Sequence, residues 1–261
     1  MTTDMRSTAR RPEVPLTVVE SGPESGRVAL VLHGGGGPVT VAGIADHLSR
    51  TMRALTPTHP GWNGTERPDW LVDVAALADV YLDLLAAGGH EDVLLVGSSI
   101  GGWIAAEMAA RAEPGRIGGL VIIDGVGIEV AAHPIRDFFA LDARGVAEYS
   151  YHEPERFYVD PATLAEEQIA LRMGNMASLR VLAGDPYMHD PTLDARLPAI
   201  TAPTLVLWGE SDRIATSGYG RALAQRIPGS RFEVILRAGH LPQLERPEAT
   251  FGAIESFVAG L

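Results

Sequence analysis

The stretch LLVGSSIGG, residues Leu94 to Gly102, decides how this sequence is interpreted. An apolar strand, Val93 to Val96, leads into the pattern G-x-S-x-G, and a helix-compatible segment, Trp103 to Ala112, follows at once. A serine on so sharp a turn has a strained backbone, and glycines two residues before and after it remove Cβ atoms that would collide. The turn also places the serine Oγ at a helix N-terminus, which favours developing negative charge. The motif predicts that Ser99 is a nucleophile; a glycine-rich turn without chemistry is the alternative.

Two strands further along the chain each end in a residue that can activate a serine. The strand Pro203 to Trp208 is followed by Asp212, and the strand Arg231 to Leu236 is followed by His240. Both residues therefore fall at the carboxyl edge of a predicted sheet, where active sites of open α/β sheets assemble. We expect His240 to act as general base toward Ser99, and Asp212 to fix the tautomer of the imidazole.

Two other acidic residues compete with Asp212 for the role of orienting acid. Asp124 directly follows the apolar strand Leu120 to Ile123, and Glu210 lies on the same loop as Asp212. The chain order serine, acid, histidine differs from the orders in chymotrypsin-like and subtilisin-like enzymes, and all three acids satisfy it. We expect Asp212 to be the orienting acid. Asp124 and Glu210 remain alternatives at this stage.

A glycine-rich loop, His33 to Pro38, follows the apolar strand Arg27 to Leu32. Acyl transfer passes through an oxyanion that needs two backbone N–H donors. We expect one donor from Ile100, the residue after the nucleophile, and the other from Gly35, because glycine lets the backbone approach a substrate closely. The loop lacks the GK[ST] and G-x-G-x-x-G patterns of nucleotide sites. His33 is expected to brace the loop by hydrogen bonding.

The composition narrows the range of partners and chemistries. The chain has 261 residues and a formal net charge of −12, which disfavours nucleic acid and anionic membranes as partners. It contains no cysteine, and its 21 basic residues are all arginines, so Cys nucleophiles, Ser–Lys dyads and Schiff bases are excluded. No metal-ligand spacing stands out, and we expect neither a metal nor a cofactor. Without an export signal or a long apolar span, we expect a cytoplasmic protein.

The strand and helix signals divide the chain into three parts. Residues 1–12 are predicted to be a disordered leader, because prolines and charges interrupt any apolar run there. Alternating strand and helix patterns over residues 13–125 and 201–261 predict one parallel α/β core. Residues 126–200 break that alternation with aromatics, prolines and one long helical segment, Pro161 to Ala183. The apolar face of the closing helix, Pro247 to Leu261, suits packing on the sheet or, alternatively, a homodimer contact.

The chain resembles the α/β-hydrolase-fold serine hydrolases over nearly its whole length. The motifs that carry the resemblance are LVLHGGGGP (Leu30 to Pro38), HPGWNGTERP (His59 to Pro68), LLVGSSIGG, PTLVLWGESD (Pro203 to Asp212) and AGHLPQLERPE (Ala238 to Glu248). The resemblance implies a doubly wound, mostly parallel sheet of the eight-stranded type. It also implies that residues 126–200 form a helical cap inserted after strand 6. The candidate pocket residues are Gly36, Trp103, Phe138, Phe139 and Leu241.

The expected function is hydrolysis of an ester, thioester or lactone of a small, mostly apolar substrate through an acyl-enzyme on Ser99. Within the same family, C–C bond hydrolases of ring-cleavage pathways usually carry Asn before the nucleophile and Trp after the histidine. This chain has Ser98 and Leu241 at those positions. C–C cleavage, cofactor-free perhydrolysis and a ligand receptor without turnover remain alternatives, as does a lyase. A small molecule is the expected partner in each case.

Overall fold

The computed structural model describes residues 14–261, so the predicted leader at residues 1–12 lies outside the described part. The strands are β1 (Thr17–Ser21), β2 (Val28–Leu32), β3 (Arg53–Thr58), β4 (Val93–Ser98), β5 (Ile117–Ile123), β6 (Thr204–Gly209) and β7 (Arg231–Ile235). The helices are α1 (Ala42–Leu48), α2 (Val74–Ala87), α3 (Ile100–Arg111), α4 (Ala143–Ser150), α5 (Pro154–Phe157), α6 (Glu166–Ala183), α7 (Leu193–Arg196), α8 (Ser217–Ala224), α9 (Pro242–Glu245) and α10 (Pro247–Val258). Short 3-10 helices occupy Pro38–Val41, Phe138–Ala140, Pro161–Thr163 and Leu197–Ala199.

The strands form one sheet in the order β1-β3-β2-β4-β5-β6-β7, in which β1 is antiparallel to β3 and the other pairs are parallel. The mostly parallel α/β sheet is as predicted, but it has seven strands in residues 14–261 where the eight-stranded type was expected. The described chain before β3 provides one edge strand, β1, and the next apolar segment is already β2 in the sheet interior. Residues 126–200 therefore follow the fifth strand of this sheet, β5.

Helices cover both faces of the sheet because its central strands are apolar on both faces. Along β2, Leu30 and Leu32 belong to the buried cluster that includes side chains of α2, α3 and α8. Ala29 and Val31 belong to the cluster on the opposite face, which includes side chains of α1 and α10. Burial of one such leucine side chain stabilises the folded state by about 1.5–3 kcal/mol relative to leaving it exposed.

Two predicted helices begin later than their apolar patterns suggested. An apolar stripe from Asp69 predicts a helix to Ala87, but α2 begins at Val74 because Asp73 caps it by accepting from the Ala76 N–H at 2.7 Å. The segment that begins at Pro161 first forms a 3-10 turn, and α6 begins at Glu166. The closing helix α10 buries Ile254 and Phe257 against the sheet. A homodimer contact through this helix stays a prediction.

No helix in the described part of the chain has the length and apolar character needed to cross a membrane.

The segment between β5 and β6 contains α4, α5, α6 and α7. We call residues 126–200 the inserted segment. Its longest helix, α6, buries Leu179 and Leu182 in the same cluster as α2 and α3.

Candidate active site

Ser99 lies on the turn between β4 and α3 in a left-handed backbone conformation, with φ 56°. Its N–H donates to the Ile123 carbonyl at 2.9 Å, which ties the turn to β5. The predicted need for glycine on either side is confirmed by the packing. A Cβ on Gly97 would overlap the carbonyl oxygen of Gly101, and a Cβ on Gly101 would overlap that of Leu32. The sequence thus folds into the strained strand-to-helix turn that presents a serine hydroxyl at the sheet edge.

Ser99, His240 and Asp212 form one chain of hydrogen bonds. The Ser99 Oγ lies 2.9 Å from Nε2 of His240, and Nδ1 of His240 lies 2.7 Å from Oδ2 of Asp212. Oδ1 of Asp212 accepts from the backbone N–H groups of Ile214 at 2.8 Å and Ala215 at 3.1 Å. These contacts fix the carboxylate against the ring, so the structure brings the three sequence-predicted residues together.

The two competing acids occupy different environments. Glu210 is exposed and accepts from the Arg237 N–H at 3.0 Å, outside the chain of hydrogen bonds. Asp124 is fully buried at the end of β5, and its Oδ1 accepts from the Gly209 N–H at 2.9 Å. Burial, followed by the neighbouring charge of Asp212, raises the pKa of Asp124 well above its usual range. The acid that contacts His240 is Asp212.

Within residues 14–261, one group of side chains includes residue types that can bind a metal ion. It consists of Asp124, Asp212 and His240. One ligand atom from each lies within 4.8 Å of the others. Nδ1 of His240 and both oxygens of Asp212 already take part in hydrogen bonds. These atoms therefore serve as hydrogen-bond partners in the chain from Ser99 to Asp212. That the protein binds no metal and no cofactor stays a prediction.

Buried histidines hold the glycine-rich loop after β2. Nε2 of His33 accepts from the His59 N–H at 3.0 Å, so its Nδ1 carries the proton and donates to the Gly34 carbonyl at 2.7 Å. Desolvation by burial lowers the pKa of His33 to about 4. The Trp62 Nε1–H donates to the Gly35 carbonyl at 2.9 Å. The structure therefore shows His33 in the bracing position predicted for it.

The N–H groups of Gly35 and Ile100 donate no hydrogen bond to any other described residue. Both residues line the cavity that contains Ser99, so unused donors border the nucleophile. The peptide that carries the Gly35 N–H is fixed by the bond from His33 to the Gly34 carbonyl, since the two groups of one peptide point in opposite directions. Backbone donors of this kind are what an oxyanion requires.

A cavity of about 480 Å³ opens above Ser99 and His240, between the core and the inserted segment. Three of the sequence-predicted pocket residues line it, namely Gly36, Phe138 and Leu241. Its remaining lining is mainly apolar and comes largely from the inserted segment, including Ile135, Val146, Phe157, Val159, Met176, Leu179 and Met188.

Trp103 and Phe139 do not line this cavity, so the prediction for these two residues is wrong. Trp103 is buried in the core because its ring packs against Gly127, where a Cβ would lie 2.6 Å from the Trp103 Cγ. Phe139 turns instead toward Arg180, whose guanidinium carbon lies 4.3 Å from the ring centroid. It also packs edge-on against Tyr187.

Sequence reasoning missed the polar residues that α6 adds to the cavity, Arg172 and Asn175. The available signal was the long helical segment itself, in which Met176 and Leu179 lie at helical spacing. Arg172 is exposed and forms no hydrogen bond or ion pair with another described residue. Among the described lining residues, Arg172 is the arginine, and none of the others is an aspartate, a glutamate or a lysine.

Comparisons with known proteins agree with this geometry. The chain is 29% identical over 256 residues to a 2-hydroxy-6-oxononadienedioate/2-hydroxy-6-oxononatrienedioate hydrolase from Pseudomonas putida, covering 86% of this chain and 85% of the relative. A meta-cleavage product hydrolase from Pseudomonas fluorescens superposes with a TM-score of 0.79 at 17% identity, covering 94% of both chains. A bacterial membrane phospholipase A superposes with a TM-score of 0.74 at 26% identity, covering 94% of this chain and 82% of that one. Since the model of the alpha/beta hydrolase family also matches residues 29–253, this chain belongs to that family.

Proposed function

We propose that this chain is a serine hydrolase that forms an acyl-enzyme on Ser99. The observation that carries the proposal is the unbroken chain of hydrogen bonds from Ser99 through His240 to Asp212, which opens into a cavity. A nucleophile, a base and an orienting acid in this geometry are what acyl transfer requires.

Each step then follows from the positions of these groups. Nε2 of His240 takes the hydroxyl proton as the Ser99 Oγ bonds to the substrate carbonyl carbon, and Asp212 stabilises the imidazolium. The N–H groups of Gly35 and Ile100 stabilise the oxyanion. The tetrahedral intermediate expels the leaving group, which takes the proton from His240. Water, deprotonated by His240, then attacks the acyl carbon, and the proton returns to the Ser99 Oγ as acid is released.

The scissile bond in this proposal is that of an ester, a thioester or a lactone. The cavity volume of about 480 Å³ suits a small substrate, and its mainly apolar lining suits an apolar acyl group. The inserted segment serves as a cap, because it supplies most of that lining and separates bound substrate from solvent.

Burst kinetics with p-nitrophenyl esters of increasing acyl length test this reaction. We expect a burst followed by steady turnover in the wild type, and at least about a 10³-fold loss of turnover in Ser99→Ala, because the nucleophile is gone. Ser256→Ala, on the exposed side of α10, is the matched control and should behave like the wild type. Undiminished turnover in Ser99→Ala would overturn the proposal, whereas a burst without turnover would indicate a receptor.

A second candidate, C–C bond cleavage, is favoured by Arg172. The Pseudomonas putida relative is named for a dioate substrate, and the Arg172 guanidinium, which has no ion-pair partner among residues 14–261, is available to a carboxylate in the cavity of this chain. Arginine binds carboxylates through two parallel N–H groups, so an anionic substrate fits this position. Ser98 and Leu241 differ from the residues usual in C–C hydrolases, and ester cleavage therefore stays the first proposal.

The two candidates separate in an Arg172→Gln variant. If the substrate is a dioate, kcat/KM for that dioate should fall by about 10- to 100-fold, whereas kcat/KM for a neutral ester should change by less than about threefold. Arg180→Gln is the matched control, since Arg180 lies on the same helix and contacts Phe139 outside the cavity lining. No turnover of the dioate in the wild type, together with ester turnover, would reject C–C cleavage.

A further inference from the structure

The buried carboxyl group of Asp124 lies beside the Ser99–His240–Asp212 chain and has no part in the reaction described above. Asp124 ends β5 with φ 44°, a left-handed conformation that is costly for a residue other than glycine. Its Oδ1 accepts from the Gly209 N–H, whereas its Oδ2 is buried and accepts no hydrogen bond. A buried oxygen without a donor is expensive for a carboxylate, but a protonated oxygen needs only an acceptor.

That acceptor is Asp212. The two carboxyl groups lie within hydrogen-bonding reach, and Asp212 receives three N–H donors where Asp124 receives one. Two carboxyl groups buried side by side cannot both ionise without strong repulsion, so the negative charge belongs on the one that accepts more hydrogen bonds. The titratable groups that face Asp124 are Asp212 on the loop after β6, His240 on the loop after β7 and Glu245 on α9.

We propose that Asp124 is a positioning residue: its carboxyl group stays protonated, and the hydroxyl on Oδ2 donates a hydrogen bond to the carboxylate of Asp212. This bond holds the Asp212 carboxylate in place against Nδ1 of His240. The neutral state avoids a second negative charge next to the imidazole, where it would favour the imidazolium, which cannot accept the Ser99 proton. The inference rests on the proposed function insofar as His240 must act on Ser99.

Two variants at position 124 separate the hydrogen bond from the charge. Asp124→Asn keeps an acceptor for the Gly209 N–H and a donor for Asp212, so kcat/KM should stay within about threefold of the wild type. Because one neutral group replaces another, the acidic limb of the pH profile of kcat/KM should not move. Asp124→Leu removes the donor, so kcat/KM should fall by about 10- to 100-fold and the acidic limb should move to higher pH.

The same profiles contain the results that would overturn the proposal. A shift of the acidic limb to lower pH in Asp124→Asn would show that the wild-type group carries a charge. An Asp124→Leu variant with wild-type kcat/KM per folded molecule would show that the hydrogen bond to Asp212 has no effect. A purely structural role would lower the melting temperature and leave the acidic limb in place.

A measurement without substrate keeps this inference separate from the proposed function. The resting wild type should show the infrared carbonyl band of a protonated carboxylic acid at neutral pH, and Asp124→Asn should lack it. If no ester is turned over but this band is present and is lost in Asp124→Asn, the proposed function fails and the protonated Asp124 stands. A wild type without the band would overturn the protonated state whatever the enzyme does, and Asp124→Leu need not fold for this test.

Discussion

Two residues of the candidate active site have strained backbone conformations. Ser99 and Asp124 both follow sheet strands, and both have positive φ values, 56° and 44°. Such a conformation costs on the order of 1–3 kcal/mol and persists only where the surroundings fix it. Here the Ser99 N–H bonds to β5 and the Asp124 N–H bonds to the Leu207 carbonyl on β6. The sheet therefore holds each side chain at its edge at the expense of local stability.

His33 shows how a single residue connects stability with the oxyanion site. Its neutral ring accepts from the His59 N–H and donates to the Gly34 carbonyl, so protonation would break the contact with His59. Burial lowers the pKa of His33 to about 4, below the unfolded value of 6.5. The unfolded chain therefore binds a proton at higher pH than the folded chain, and stability is lost as the pH falls from 6.5 to 4.

A His33→Asn variant tests this linkage. The stability advantage of the wild type over the variant should shrink by about 2 kcal/mol between pH 7 and pH 5, because only the wild type has this protonation in its unfolded state. Denaturant unfolding of both proteins at each pH measures the difference. Between pH 8 and pH 9 the ring is neutral in both states, so the difference there should be constant. A difference that is equally constant from pH 7 to pH 5 would contradict the burial argument.

At the scale of the elements, four neighbouring parallel strands deliver the site to one edge of the sheet. The residues at or just beyond the carboxyl ends of β2, β4, β5 and β6 include His33, Ser99, Asp124 and Asp212, and the loop after β7 adds His240. Because parallel strands end at a common edge, a residue type placed after a strand predicts a location in space as well as in sequence. This is why Ser99, His240 and Asp212 could be found from the sequence.

The pocket could be predicted only in part, because its shape depends on contacts between distant parts of the chain. Trp103 lies on the first turn of α3, four positions after Ser99, yet the side of α3 on which it lies faces Gly127 and the core. Conversely, Arg172 and Asn175 lie more than 70 positions beyond Ser99 and reach the cavity only through the packing of α6. Helical periodicity identifies the apolar face of α6 but does not say what that face covers.

At the scale of the whole molecule, many hydrogen bonds tie the inserted segment to the core, and two groups of them lie beside the cavity. On one side, Asn175 accepts from the Asn63 N–H at 2.8 Å, and the Ser178 hydroxyl donates to the Gly61 carbonyl at 2.8 Å. On the other side, the His240 N–H donates to the Ser150 carbonyl at 2.6 Å. The loop that carries the proposed base is therefore bonded directly to the inserted segment.

Glu245 on α9 completes that second junction. Its buried carboxyl group accepts from the Gly239 N–H at 2.6 Å on the His240 loop. The same group accepts from the N–H groups of His152 and Glu153, each at 3.0 Å, on the inserted segment. One side chain thus fixes the histidine loop and the inserted segment to each other, and its removal should disturb stability and catalysis together.

A Glu245→Gln variant tests this coupling. The amide retains one acceptor oxygen and turns an N–H₂ toward backbone donors, so at least one buried N–H loses its partner, at a cost of about 1–3 kcal/mol of unfolding free energy. Because the His240 loop loses that support, labelling of Ser99 by a fluorophosphonate should slow by about tenfold. Glu248→Gln, at an exposed position in the first turn of α10, is the matched control and should leave labelling unchanged and stability within about 0.5 kcal/mol. If Glu245→Gln labels as fast as Glu248→Gln while losing stability, the carboxyl group supports the fold without positioning the base.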